Sequence, residues 1–190
     1  FPPPTPAPLS ASLVGSEKCI TDSAMSDQTL PLPTADDLVH LRRCVELARE
    51  ALDDGDEPFG SLLVDRDGVV RFEDRNRVKD GDATRHPELE IARWAAAHLT
   101  PEERRDATVY TSGEHCAMCS AAHAWVGLGP VVYAASTTQL VGWLEEWGVA
   151  PGPVRPLAIG DVAPGVAVRG PAYELEVEVR ALHARLHGVS

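Results

Sequence analysis

The stretch Thr111-Ser112-Gly113-Glu114-His115-Cys116-Ala117-Met118-Cys119, taken with Thr84-Arg85-His86-Pro87-Glu88 upstream, decides how this chain is read. On the first turn of a helix, the C-x-x-C spacing of Cys116 and Cys119 puts both sulfurs on one side, close enough to share a tetrahedral ion such as zinc. His86 is the natural third ligand. Glu88, two positions on, points into the same space without having to bind the metal. Three protein ligands leave a fourth position open, the mark of a catalytic zinc. A water bound there falls from a pKa of about 16 to about 7 and becomes a nucleophile, and a neighbouring carboxylate can carry its proton.

Each of these residues also has a plainer reading. A site closed by His115 or His123 as fourth ligand makes the zinc purely structural. His123, one helical turn past Cys119, fits a packed histidine equally well. Glu88 alone fits a solvated carboxylate in a first helical turn. What favours the catalytic reading is the His-x-Glu placed before the C-x-x-C in a strand-flanked, two-helix setting.

With these motifs the chain resembles the zinc-dependent cytidine-deaminase-like superfamily, which pairs an H-x-E with a P-C-x-x-C. The resemblance runs from Leu38 to Ser136 and takes in Pro58-Phe59-Gly60-Ser61-Leu62-Leu63-Val64, Asn76 and Val109-Tyr110-Thr111-Ser112. The P-F-G turn and the Y-T-S strand are similar to the bacterial guanine-deaminase-like branch. The chain departs from the pattern at Pro87, where Ala is usual, and at His115, where the family has Pro before its first cysteine. Pro87 falls in the first turn of a helix, where a missing N–H costs little.

The resemblance implies a three-layer α/β/α fold with a five-stranded mixed sheet. It implies Zn2+ held by His86, Cys116 and Cys119, with Glu88 as the catalytic proton carrier. It also implies that Asn76 hydrogen-bonds the base, that the backbone carbonyl of Glu114 meets the substrate amine, and that the protein is a homodimer. Asn76 otherwise stabilises a turn. Phe59 and Trp125 fit either walls of a base pocket or core aromatics, and Trp143, Trp147 and Tyr173 fit helix packing or a lid. The implied activity is hydrolytic deamination of a small amino-substituted heterocycle with release of ammonia. Guanine, cytosine, isocytosine and amino-triazines all suit it. A nucleoside or tRNA-editing deaminase is the alternative, and a zinc-stabilised binding module without activity a further one.

The chain has 190 residues, 44% of them hydrophobic, enough for one domain with a substantial core. With 17 Lys and Arg against 29 Asp and Glu, the formal net charge of −12 opposes a polyphosphate partner, so no nucleic acid is expected. No apolar run reaches the roughly eighteen residues of a membrane span. No signal peptide is recognised, and a cytoplasmic location is expected. Cys19 and Cys44 read as unrelated thiols rather than a disulfide framework.

Residues 1–33, rich in Pro, Ser and Thr and lacking apolar periodicity, read as a flexible tail. Met25 is a candidate start, which makes residues 1–24 a candidate non-native segment. The zinc-dependent domain is then 34–190. Leu38, Leu41, Val45, Ala48 and Leu52 define one face of a helix capped by Thr34 and Asp37 and ended by Gly55. Strands are expected at 61–65 and 69–74 around the Arg66-Asp67-Gly68 turn, then at 107–111, 130–135 and 154–159. Helices are expected from His86 to His98 with Leu89, Ala92, Ala96 and Leu99 inward, from Cys116 to Leu128, and from Thr138 to Trp147. A last helix opens at Pro171 with Leu175, Val179, Leu182 and Leu186 inward. Residues 100–106 read as a polar loop. A helix between the last two strands suits a parallel pair.

Overall fold

The structure is a computed structural model that describes residues 31–189. Cys19, Met25 and most of the expected tail therefore lie outside the described residues. The carbonyl of Pro31, the first described residue, accepts a hydrogen bond from the Gly170 N–H at 3.1 Å.

Helix α1, Ala35–Asp53, begins with the expected reciprocal capping box between Thr34 and Asp37, which satisfies two of the helix's orphan N–H groups. Its stripe of Leu41, Val45 and Ala48 is buried, with Leu38 and Leu52 half-buried beside it. Strands β1, Gly60–Val64, and β2, Val70–Arg75, form an antiparallel hairpin. The Asp65 side chain holds the turn by accepting from the N–H groups of Asp67 and Val69. Helix α2, Pro87–His98, has its proline in the first turn, where no donor is lost.

There follow α3 (Pro101–Asp106), β3 (Thr108–Gly113), α4 (Ala117–Val126), β4 (Val131–Ala135), α5 (Thr137–Glu146), the short α6 (Ile159–Val162) and β5 (Val168–Arg169). A 3-10 turn, Tyr173–Leu175, leads into α7, Glu176–Leu186. The sheet is five-stranded with order β2-β1-β3-β4-β5. β1 is antiparallel to both its neighbours, while β3, β4 and β5 run parallel.

Successive strand side chains alternate faces, and two apolar layers result. Leu62, Val64, Tyr110, Val132 and Ala134 meet α1, α5 and α7 on one face. Leu63, Val109, Val131 and Tyr133 meet α2, α4 and α6 on the other. The expected three-layer α/β/α arrangement is present. Gly60 lets α1 cross β1 closely, since a Cβ there would fall on the Leu47 side chain and the Cys44 carbonyl.

Four expectations are corrected. Residues 154–158 form no strand, because Pro153 and Pro156 withhold ladder donors; the fifth strand is instead Val168–Arg169. Residues 101–106 are helical, capped by Thr100 and Glu103 with Pro101 in the first turn. Ala96 is exposed, because α2 buries the stripe Ile91, Ala92, Ala95 and Leu99 instead. Leu186 is 37% exposed at the end of α7, and His183 takes its place in the core.

Candidate active site

Two helix N-termini on one face of the sheet bring the metal motif together. His86 is the N-cap of α2 and Cys116 the N-cap of α4; their carbonyls accept the Glu90 and Ser120 N–H groups, but neither side chain makes a capping bond, so both are left to face the site. Cys119 lies on the first turn of α4 and is fully buried. His86 Nδ1 stands 3.7 Å from Cys116 Sγ and 3.6 Å from Cys119 Sγ. Tetrahedral zinc with bonds of about 2.0 Å to nitrogen and 2.3 Å to sulfur requires nitrogen–sulfur separations of about 3.5 Å, so the donor set fits zinc. Among the described residues this is the one group of three side chains whose ligand atoms all lie within 4.8 Å of one another.

The charges are arranged for it. Cys116 is drawn down to about 4 by a hydrogen bond from Cys119 and by His86 beside it. Cys119 is pushed up by the Cys116 contact and by burial. The Cys116 contact raises His86. Such a clustered, partly ionised donor set is where a divalent cation would relieve the repulsion by taking both thiolates.

Glu88, 6% exposed, stands on the first turn of α2. Its Oε1 lies 3.0 Å from both Ser61 Oγ on β1 and Thr111 Oγ1 on β3. The other oxygen, Oε2, faces Cys119 Sγ at 3.7 Å. Burial pushes the carboxyl up, which brings it toward the range useful for a group that both takes and gives a proton. Neither hydroxyl was singled out in the sequence as a partner of Glu88. The available signal was a polar residue at a buried position of each strand.

A cavity of about 180 Å³ opens onto this group, lined by His86, Glu88, Cys116 and Phe59. Apart from Arg155 its far wall is apolar: Leu140, Val141 and Leu144 of α5, and Val154, Pro156 and Leu157 of the loop that follows. Phe59 is thus a wall, packed on Gly113 and edge-on to His183 at 5.0 Å. Asn76 is fully buried just past β2; its N–H bonds the Phe59 carbonyl, its Oδ1 accepts from Val78 N–H, and its Nδ2 has no protein partner. Glu114, unlike Asn76, lines the cavity. Trp125 does not. It is 89% exposed, because α4 buries Cys119, Ser120 and His123, and a residue two positions past His123 points away from the sheet. Trp143 and Trp147 pack in the core beside α7, and Tyr173 is 61% exposed.

The closed-site alternative is not supported by the geometry. His115 is buried outside the ligand group with its ring 5.4 Å from that of His123, and His123 Nε2 bonds the Gly129 carbonyl.

The five-stranded mixed sheet with its helices and the His-Cys-Cys donor set match the cytidine-deaminase-like class. The model of the cytidine and deoxycytidylate deaminase zinc-binding region matches residues 34–135, and the chain belongs to this family. It is 37% identical over 118 residues to a probable cytosine deaminase of Schizosaccharomyces pombe, covering 60% of this chain and 70% of that protein. It is 38% identical over 101 residues to the guanine deaminase of Bacillus subtilis, covering 52% of this chain and 64% of the relative. Among solved structures, a point mutant of the protein NE0047 in complex with 8-azaguanine superimposes with a TM-score of 0.64 at 25% identity, covering 82% of this chain and 85% of that one.

Proposed function

We propose that this chain is a zinc-dependent aminohydrolase of a free nucleobase or a similar small heterocyclic amine, converting a ring C–NH2 and water into a ring carbonyl and ammonia. The observation that carries the reading is the orientation of Glu88. Two hydroxyls occupy its Oε1 and leave Oε2 turned toward the cysteine side of the site.

His86, Cys116 and Cys119 would hold the zinc, which when bound supplies a water made acidic enough to attack at neutral pH. Cys119, held as a thiolate, would no longer donate to Glu88 Oε2. That oxygen is then free to take the proton of the attacking water. As the new C–O bond forms at the amidine carbon, Glu88 delivers the proton to the ring nitrogen. Glu88 then takes the remaining proton of the added hydroxyl and carries it to the exocyclic amine; the carbonyl forms as the C–N bond breaks and ammonia leaves. The unpartnered Asn76 Nδ2 supports a role in holding a ring carbonyl or nitrogen, and the Phe59 edge and apolar wall supply a flat slot.

Guanine, cytosine, isocytosine and amino-triazines suit such a slot. The relatives' named activities on cytosine and guanine support this class. The homodimer reading is supported by the α4 surface, where Trp125 and Ala124 are exposed. The cytoplasmic reading is supported by the thiol chemistry the site needs, and by Cys44 being buried and unpaired. No helix among the described residues is long and apolar enough to cross a membrane. The test is ammonia release from a panel of these bases by the zinc-loaded protein, with sedimentation for the assembly. No release from any of them sinks the aminohydrolase reading.

A further inference from the structure

The side chain of Glu114 ties down both ends of the segment that walls the cavity. Its Oε2 accepts the Thr137 N–H at 2.8 Å, at the start of α5. Its Oε1 accepts the Ile159 N–H at 2.9 Å, at the start of α6. The stretch between those two amides, α5 and the loop that follows, supplies the cavity's apolar wall: Leu140, Val141, Leu144, Val154, Pro156 and Leu157. The segment leaves the α1 face of the sheet, passes the carboxyl ends of β3 and β4, and arrives on the α2 face. The loop of this segment, 147–158, has no regular secondary structure to hold it.

Glu114 is itself anchored. Its N–H donates to the Ala135 carbonyl at 2.8 Å, extending the β3–β4 ladder by one bond. Cys116 follows two residues later. One carboxylate thus fixes the far wall relative to the metal ligands, and it does so with two charge-assisted bonds rather than neutral ones. Ser136, the N-cap of α5, takes a different amide, that of Gln139, so it does not duplicate the contact.

We infer that Glu114 is a positioning residue for substrate recognition: its carboxylate sets the conformation of residues 137–158 and so the fit of the heterocycle, while proton transfer stays with Glu88. The inference rests on the nucleobase reading for its substrate, but the clamp can be read without turnover.

The experiment uses the full zinc-loaded chain and two variants, Glu114→Ala and Glu114→Gln. Amide hydrogen exchange is followed at Thr137 and Ile159, with KM and kcat on the best base of the panel. Two charge-assisted hydrogen bonds are removed in the alanine variant, so exchange at those two amides rises by about tenfold or more. KM is expected to rise by a similar factor, kcat to change by less than about threefold, and zinc content to stay at the wild-type level. Glu114→Gln keeps one acceptor oxygen and falls between the two.

Unchanged exchange at both amides overturns the clamp. So does exchange that rises evenly over the whole sheet, or a fall in kcat at constant KM. If the wild type deaminates no base, the functional reading fails, yet the exchange data still support or overturn the clamp by themselves.

Discussion

Ser61 Oγ and Thr111 Oγ1 lie 2.8 Å apart on adjacent strands, and each is 3.0 Å from the same oxygen of Glu88. Each hydroxyl has one proton to give, and Thr111 also reaches the Gly113 carbonyl at 2.9 Å. Ser61 likewise divides its proton between two acceptors, Glu88 Oε1 and Thr111 Oγ1. Replacing Ser61 with Ala should lower kcat/KM by about 10- to 150-fold, the worth of one hydrogen bond to a charged group, with zinc content unchanged. Steady-state kinetics beside metal analysis checks this. Wild-type kinetics in the variant means that the hydroxyl does not orient the carboxylate.

Glu88→Gln keeps the size and the contacts to Ser61 and Thr111 but cannot carry a proton. Turnover should fall by at least about 10²–10⁴-fold, the usual contribution of a general acid–base group. Zinc stoichiometry should remain that of the wild type, since Glu88 lies outside the donor group. Loss of the metal in this variant would instead make Glu88 a ligand.

Cys119 is fully buried and contacts both His86 and Glu88. Because metal binding and local folding are coupled, Cys119→Ser should bind zinc far more weakly and melt about 5–15 °C lower. Titration with a chelator under calorimetry measures both. A variant with wild-type zinc retention and activity removes Cys119 from the donor set.

The centre of the fold was legible because local chemistry and period agreed there. The Asp-Gly turn at Asp67-Gly68 sits between two apolar runs, and the hairpin forms where it is expected. The C-x-x-C and H-x-E spacings bring His86, Cys116 and Cys119 together as their helical placement requires. The errors fall where a short signal was passed over or none existed. Thr100-Pro101-Glu102-Glu103 is a capping box with a first-turn proline, readable in principle and read as a loop. Val168–Arg169 is only 2 residues long, too short to show any alternation, and its pairing is set by β4. Trp125 was misplaced by residue type alone, although counting around α4 from Cys119 turns it outward. The clamp at Glu114 joins residues 23 and 45 positions apart, and no local pattern carries that.

His183 sits 3% exposed between Phe59 and Trp143, and burial pulls its pKa down to about 4. An unfolded chain titrates its histidines near about 6.5. Between those two values the unfolded state binds the extra proton, so stability rises with pH and is lost as pH falls from about 6.5 toward 4. The shift corresponds to a loss on the order of 3 kcal/mol at the acid end. His115 and His123 are also depressed by burial and act in the same direction. Comparison with His183→Leu isolates the one group: the variant's stability should fall less steeply over this window, by up to about 1.4 kcal/mol per pH unit. Urea denaturation at a series of pH values measures the slopes, and equal slopes refute the assignment.

The substrate should be a free base rather than a nucleoside or an RNA. The cavity of about 180 Å³ lies below the roughly 300 Å³ at which pockets for drug-sized ligands begin. The Leu140, Val141 and Leu144 side chains of its wall offer no partner for sugar hydroxyls, and one lodged against them would be buried unpaired at a cost of about 1–3 kcal/mol. The polar group facing the metal ligands, Glu88, is suited to the ring itself. Against RNA, the net charge of −12 removes the counterion-release contribution that nucleic-acid binders depend on. Of the cavity-lining residues only Arg155 carries a fixed positive charge. Values of kcat/KM for guanine, cytosine and an amino-triazine should therefore exceed those for guanosine and cytidine by about 10²-fold or more, the factor set by one or two unpaired hydroxyls. A tRNA anticodon stem should be turned over more slowly still, with little dependence on salt. A nucleoside outpacing every base would mean that the 137–158 wall opens to admit a ribose, and the size argument would fall while the metal site stood. Preference for RNA, weakening steeply as salt rises, would place a basic groove on a surface that the total charge conceals.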